Sequence, residues 1–292
     1  MAELISVILT TYDREDALAA VLRSLGCQSD RNFEVVVADD GSGPATAATI
    51  AEWQTRLGVR LTHVWQEHRD FRAAEIRNRA LLASQGAYCV FLDGDCLVRP
   101  DFIATHRRLA EHGWFVTGNR VLMSAALTAA VLRDGIAPET WGLDGWIAQR
   151  MRAGINRLGP ALRLPLGPLR KLRASAWEGA RSCNLAVWRD DLDRVDGFDA
   201  SYSGWGREDS DLLVRLLRHG VRRKDGMYAT GVLHLWHADA SRTGLEENDR
   251  RLAAALASDR VKAERGMSAL AAVSAQDATS HARSAHLHST SS

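Results

Sequence analysis

The sequence predicts an α/β fold, a mostly parallel Rossmann-like sheet flanked by helices with a smaller second lobe, and three observations predict it. Apolar runs at residues 4–12, 33–38, 59–65 and 88–92 have the length and composition of short buried strands. Segments with apolar residues at helical spacing separate them, as with Leu18, Val21, Leu22 and Leu25 between the first two. Strand-helix-strand order implies parallel neighbours joined by right-handed crossovers, so the polar residues ending each run collect on one edge, where open α/β sheets bind ligands.

The first strand, Leu4 to Tyr12, breaks into Asp13 and Arg14, and Asp13 is the expected N-cap of a helix from Glu15 to Cys27. The second strand, Phe33 to Ala38, ends in Asp39-Asp40-Gly41-Ser42-Gly43, before a helix over 45–57 and a third strand over 59–65. The fourth, Tyr88 to Leu92, delivers Asp93-Gly94-Asp95, and Gly94 permits a bend that turns both acids into one cleft. Beyond Pro100 we expect a helix over 101–112 and a strand over 114–119, with Gly118 allowing close approach, while 122–143 has a mixed pattern that fixes no element. Gly204 and Gly206 bracket Trp205 in a tight turn, after which Glu208, Asp209 and Asp211 open an amphipathic helix carrying Leu212, Leu213, Leu216 and Leu217. Residues 244–264 read as an alanine- and charge-rich helix, and 271–292, made of Ala, Ser, Thr and His, as disordered. The expected organisation is one folded domain over 1–265, with halves 1–120 and 121–265, and a tail over 266–292.

Composition narrows the class. With 292 residues, 46% of them hydrophobic, the chain can bury a sizeable core. A net charge of +1 argues against general nucleic-acid binding. Cys27, Cys89, Cys96 and Cys183 form no CxxC pair, which fits a reduced, cytoplasmic protein. Leu4 to Leu9 is too short for a signal peptide, and no run approaches the roughly 18 apolar residues of a membrane span, so any expected membrane contact is peripheral. Between Gly145 and Trp177 there is no acid, while Arg150, Arg152, Arg157, Arg163, Arg170, Lys171 and Arg173 lie among leucines and prolines. Such an insertion suits an anionic membrane surface or a phosphorylated acceptor, or else forms a loop with a solvated basic face.

Two carboxylates at a strand end, Asp93 and Asp95, make a site for Mn2+ or Mg2+ shared with substrate phosphates, although an acidic turn is the plainer alternative. No GxGxxG follows the first strand and no GxxxxGK[ST] occurs, so phosphates would need neutralising by the metal. An acid ending the second strand can accept from the imino N–H of a base, and Tyr12 can stack on it. Glu208 and Asp209 either cap their helix or act as chemical groups beside Trp205. His234 and His237 are three apart at a strand end, where an extended backbone points them to opposite faces, so one metal ligand is expected rather than two.

The Thr10-Thr-Tyr-Asp13 opening, Val-Ala-Asp39-Asp40-Gly-Ser42, Arg77-Asn-Arg-Ala80 read as a helix start, and Asp93-Gly-Asp95 together resemble the nucleotide-binding half of glycosyltransferase family 2, with the GT-A fold. Gly204-Trp-Gly-Arg-Glu-Asp-Ser-Asp211 is similar to the Gly-Trp-Gly-x-Glu-Asp motif of the β-1,4-galactosyltransferase C-terminal region and of bacterial chondroitin-type polymerases. The resemblance implies a UDP-sugar donor held by Thr10, Tyr12, Asp40, Arg77, Asp93 and Asp95, with Mn2+ or Mg2+ on Asp95 and His237 and with Arg242 closing over the diphosphate. It implies Asp209 as the base, Glu208 on the sugar, and Trp205, Gly204 and Asn184 lining the sugar pocket. Residues 1–120 would then bind the sugar nucleotide and 121–265 the acceptor. The implied activity is inverting, β-forming transfer of a hexose or N-acetylhexosamine to a hydroxyl of a cell-surface glycan or lipid-linked saccharide precursor, with peripheral contact at the inner face of the cell membrane as an accompanying expectation. The alternatives are a nucleotidyltransferase, disfavoured because the first 100 residues contain no lysine, and a non-catalytic glycan- or nucleotide-binding module.

Overall fold

A computed structural model describes residues 3–159, 162–238 and 242–272; the 273–292 part of the expected tail lies outside the described residues. The first half is the anticipated alternation of β1 (Ile5–Thr11), α1 (Glu15–Gly26), β2 (Phe33–Asp39), α2 (Pro44–Arg56), β3 (Leu61–Trp65), α3 (Ala73–Ala83) and β4 (Tyr88–Asp93). β1 pairs in parallel with both β2 and β4, and β2 with β3, so their carboxyl ends line one edge. Every residue of β2 is buried, as a strand covered by helices on both faces requires.

After β5 (Cys96–Leu97) come α4 (Phe102–Leu109), β6 (Trp114–Thr117) and β7 (Arg120–Leu122). The stretch that fixed no element holds α5 (Ala125–Asp134), whose Ser124 hydroxyl caps Leu127 N–H at 3.2 Å and whose end is a left-handed Gly135. Then follow α6 (Leu143–Met151), β8 (Asn184–Trp188), α7 (Arg189–Arg194), α8 (Glu208–Arg218), β9 (Arg222–Asp225), β10 (Val232–His234) and α9 (Leu245–Ala257). The main sheet has the order β3-β2-β1-β4-β8-β6-β9, and a small sheet has the order β5-β10-β7. β8 runs antiparallel between β4 and β6, so the second half completes the sheet of the first.

Several boundaries differ from expectation for identifiable reasons. α3 begins at Ala73, four residues before Arg77, because Arg72 N–H is held by Asp40 Oδ2 at 2.9 Å and turns the chain into the helix there. Asp13 does not cap α1; at φ 42° it faces the neighbouring loop, accepting from Gly43 N–H at 2.8 Å while its own N–H donates to Ser42 Oγ at 2.9 Å. α9 stops at Ala257, and the chain then lies against the domain: Glu264 N–H donates to Asp199 Oδ2 at 2.9 Å, Met267 is buried, and Ser268 N–H donates to Asp196 Oδ1 at 2.8 Å.

The basic insertion is largely occupied within the molecule. Arg157 donates to Arg120 O, Arg163 to Asp101 Oδ1 at 2.6 Å, and buried Arg170 to the carbonyls of Leu164, Asp225 and Met227. Lys171 pairs with Glu111 at 2.6 Å and lies over the Trp114 ring, and Arg173 donates to Glu178 O.

Gly118 shows close approach at its tightest. A Cβ there would lie 2.1 Å from Asn184 Nδ2, and that amide donates to Thr230 O at 2.6 Å, joining β8 to the strand region beyond β9. Gly118→Ala is expected to destabilise the protein by about 1–3 kcal/mol through overpacking. Thermal unfolding checks it, with a loss of roughly 2–4 °C per kcal/mol for a domain of this size.

Candidate functional site

The parallel register places Thr10 opposite Asp93 and Thr11 opposite Asp39, so the ends of three strands meet at one level. Gly94 closes that edge: its N–H donates to Thr10 O at 2.7 Å, and a Cβ would stand 2.9 Å from the same oxygen. Its smallness is needed for this approach, while its φ lies outside the left-handed region. Beyond it, one ligand atom from each of Asp93, Asp95 and Cys96 falls within 4.8 Å of the others, and the same holds for Asp95, His234 and His237.

The two histidine rings do not point to opposite faces as expected. Strand pairing ends at His234, where Leu235 N–H turns to Asp95 O at 2.9 Å and Trp236 N–H to Thr128 Oγ1 at 2.8 Å. The rule that successive strand residues face opposite ways therefore stops applying at His234, before it can separate the two rings. Both imidazoles reach the same carboxylate oxygen, Asp95 Oδ2, at 3.5 Å from His234 Nε2 and 3.3 Å from His237 Nε2. Burial, opposed by Asp95, lowers the His234 pKa and keeps its ring neutral, the form that ligates metals. Burial pushes the Cys96 thiol well above its ordinary range, so it stays protonated and adds no thiolate. What remains is a carboxylate and imidazole set, which fits Mn2+ better than the all-oxygen sphere Mg2+ prefers.

Arg77, expected at the nucleotide, lies buried beneath the strand ends. Its Nη1 holds Glu208 Oε1 at 2.9 Å, its Nη2 lies 3.5 Å from Asp93 Oδ1, and its Nε donates to Thr10 Oγ1 at 3.2 Å. One guanidinium thus joins β1, β4 and the first turn of α8. α8 itself starts from Arg207 in the left-handed region, φ 79°, which swings Glu208 and Asp209 toward the cleft. Asp209 accepts from Ser210 N–H at 2.7 Å and Ser182 N–H at 3.4 Å. Burial first, and then the charge of Glu208, push its carboxyl up to about 6, against the pull of Arg77 and the two N–H groups. Burial and neighbouring Asp95 also raise Asp93, against Arg77. Asp211, two residues on, points away from the cleft into a fully buried pair with Arg215 at 2.7 Å.

At the far end of the edge, Tyr12 is 42% exposed and stacks on His68, with centroids 4.3 Å apart and planes 13° from parallel. Asp40 is buried, with one oxygen accepting from Gln66 Nε2 at 2.6 Å and the other from Arg72 N–H, and burial raises its pKa. Asp39 is held by His63 and Ser42 N–H. Against the same loop Gly204 N–H donates to Phe71 O at 2.9 Å, while Trp205 N–H donates to Thr243 O at 3.1 Å and the Arg242 guanidinium lies 5.5 Å from the Trp205 ring centre. Asn184 is fully buried and bonded to Thr230 O, below the open cleft. Sequence reasoning did not place His234 beside Asp95, and it passed over the Arg77–Glu208 pair because no local spacing links residues so far apart.

Two family models match the chain: "Glycosyl transferase family 2" over residues 6–159 and "N-terminal domain of galactosyltransferase" over 171–238. Validoxylamine A glucosyltransferase of Streptomyces hygroscopicus subsp. limoneus is 30% identical over 229 residues, covering 75% of this chain and 49% of that protein. Hyaluronan synthase of Pasteurella multocida is 26% identical over 249 residues, covering 77% of this chain and 24% of that protein. The chain thus spans about half the length, or less, of these two curated relatives. Among solved structures, GalNAc-T7 with UDP, GalNAc and Mn2+ superimposes with a TM-score of 0.61 at 15% identity, covering 87% of this chain and 48% of that one.

Proposed function

The chain belongs to glycosyltransferase family 2, with the GT-A fold and a galactosyltransferase-like C-terminal part, and from that premise we propose which transfer it performs. It moves a hexose or N-acetylhexosamine from a UDP-sugar to a hydroxyl of a cell-surface glycan or lipid-linked saccharide precursor, with inversion and a β-linked product. The observation that carries this reading is Asp209: a carboxylate raised to about 6, fixed at a helix start, in the same cleft as the Asp95, His234 and His237 set. A general base near neutrality takes the acceptor proton most effectively in its ionised form. Glu208, locked by Arg77, would orient the sugar, and the Trp205 ring offers it an apolar face. A cation held by Asp95, His234 and His237, with Asp93 beside them, would neutralise the departing diphosphate. Glucosyl transfer by the Streptomyces relative and the UDP and Mn2+ of the GalNAc-T7 structure support the sugar, donor and metal parts.

Contact with the inner face of the cell membrane through residues 145–177 belongs to the same proposal. Exposed Leu164, Leu169 and Leu172 support it, together with Arg150 and Arg152, which lie on the exposed surface.

Calorimetric titration tests the donor reading. UDP is expected to bind in the presence of Mn2+ and to lose that binding without the metal or in Asp95→Ala. Metal-independent UDP binding that survives the substitution would overturn it.

A further inference from the structure

We propose that Arg120 is an anion-binding residue of this site, its guanidinium taking a phosphate oxygen of the nucleoside diphosphate. The inference rests on the sugar-nucleotide reading above and adds a residue that neither motif contains. In the small sheet β7 pairs in parallel with β10, Arg120 opposite Val232 and Leu122 opposite His234, while His234 also faces Cys96 of β5. Alternate strand residues share a face, so Arg120 stands on the same face as His234, one pleat away. The intervening Val121, Leu233 and Leu97 point the other way and are buried in the core, as is Val232 beside Arg120 on its own face. Arg120 thus borders the cleft beside the candidate metal ligands.

Its charge is felt by the groups around that cleft. It lies near enough to Asp93 and His234 to act on both through its charge. The backbone beneath it is fixed, since Arg120 O accepts from Arg157 Nε at 3.3 Å and Nη2 at 2.8 Å. Among the described residues the Arg120 guanidinium makes no hydrogen bond or ion pair within bonding distance, in contrast to buried Arg77, which serves Glu208, Asp93 and Thr10. Four carboxylates surround the cleft: Asp93, Asp95, Glu208 and Asp209. Arg77 and a dication offset three of their charges, so a dianionic diphosphate entering there would meet a net negative site without Arg120. A guanidinium on a half-buried residue with its donors uncommitted is suited to phosphate, which it can grip through two parallel N–H groups.

The test is calorimetry on the whole chain in saturating Mn2+, with UDP, GDP, UMP and GMP as probes, for wild type, Arg120→Gln and Arg120→Lys. Arg120→Gln is expected to weaken the diphosphate that wild type binds by about 10- to 100-fold, while the matching monophosphate changes by less than about 2-fold. Arg120→Lys should recover part of the loss, because it restores charge without the fork. Melting curves report whether each variant is folded, and the lysine variant carries the comparison if the glutamine variant is not. Unchanged diphosphate affinity, or equal losses for diphosphate and monophosphate, would overturn the assignment and leave Arg120 a structural residue. If wild type binds neither diphosphate, the donor reading itself falls and takes this one with it.

Discussion

Replacing Asp209 by asparagine is expected to lower sugar transfer by about 100-fold or more while nucleotide affinity is kept. Asparagine preserves the shape and its single carbonyl oxygen can still accept from Ser210 N–H, but its NH2 cannot replace the oxygen that accepts from Ser182 N–H, and it cannot take a proton. The wild-type rate should also carry an acid limb. Asp209 is raised to about 6 by burial and Glu208, so it is protonated and useless as a base below that pH, and transfer falls as pH drops through it. The residual activity of the asparagine variant should lack this limb. Stability moves the other way: an acid whose folded pKa is raised stabilises the fold at low pH and loses that contribution as pH rises through about 6. Asparagine removes the cost of an ionised buried group, so the melting temperature at neutral pH should hold or rise. A pure binding module would show no turnover in either protein, and transfer within a few-fold of wild type in Asp209→Asn would exclude it as the base.

Asp211→Ala is expected to be the most destabilising change near the site, by about 3–5 kcal/mol, with little direct chemical role. Asp211 and Arg215 are fully buried, and Arg215 Nε reaches Asp211 Oδ2 at 2.7 Å. Arg260 Nη2 reaches the other oxygen at 2.7 Å and also contacts Asp199, which collects Ser201 Oγ and Glu264 N–H. Alanine leaves the Arg215 guanidinium buried with no carboxylate, whereas its loss would not touch the cleft. Denaturant or thermal unfolding measures the cost. A change below about 1 kcal/mol would show that water or rearrangement replaces the pair. Asp199, pulled far below the usual carboxylate range by these donors despite its burial, contributes stability at neutral pH that is lost only in strong acid.

What could be read from the sequence was what local pattern determines. Four strand runs, their acidic ends and the turn around Trp205 follow from periodicity and turn chemistry, and the structure places them as expected. The nearness of His234 and His237 was not legible because the alternation rule assumes a continuing strand, and the strand stops at His234 through contacts with Asp95 and Thr128. The helix Ala125–Asp134 was lost because its apolar spacing is weak and only Ser124 and Gly135 mark its ends. The seven cations of the 145–177 stretch looked like one basic face because spacing does not show partners such as Asp101 and Glu111, which are distant in the chain. Arg77 was legible as part of a motif, but its burial and its bond to Glu208, 131 residues away, depend on the closed tertiary structure.

The antiparallel insertion of β8 between β4 and β6 has an evolutionary consequence. β4 is a wholly apolar strand up to Asp93, and β8 is the only neighbour on its outer side, paired from Tyr88–Trp188 to Leu92–Asn184. A gene fragment ending near residue 120 would encode the strand ends that carry Asp40, Asp93 and Asp95 yet leave that strand as a bare, hydrophobic edge, a template for aggregation. The two halves are therefore not exchangeable cassettes. Recombination among relatives has to carry β8 and its strand partners across intact, which favours change by substitution in the loops over the shuffling of halves.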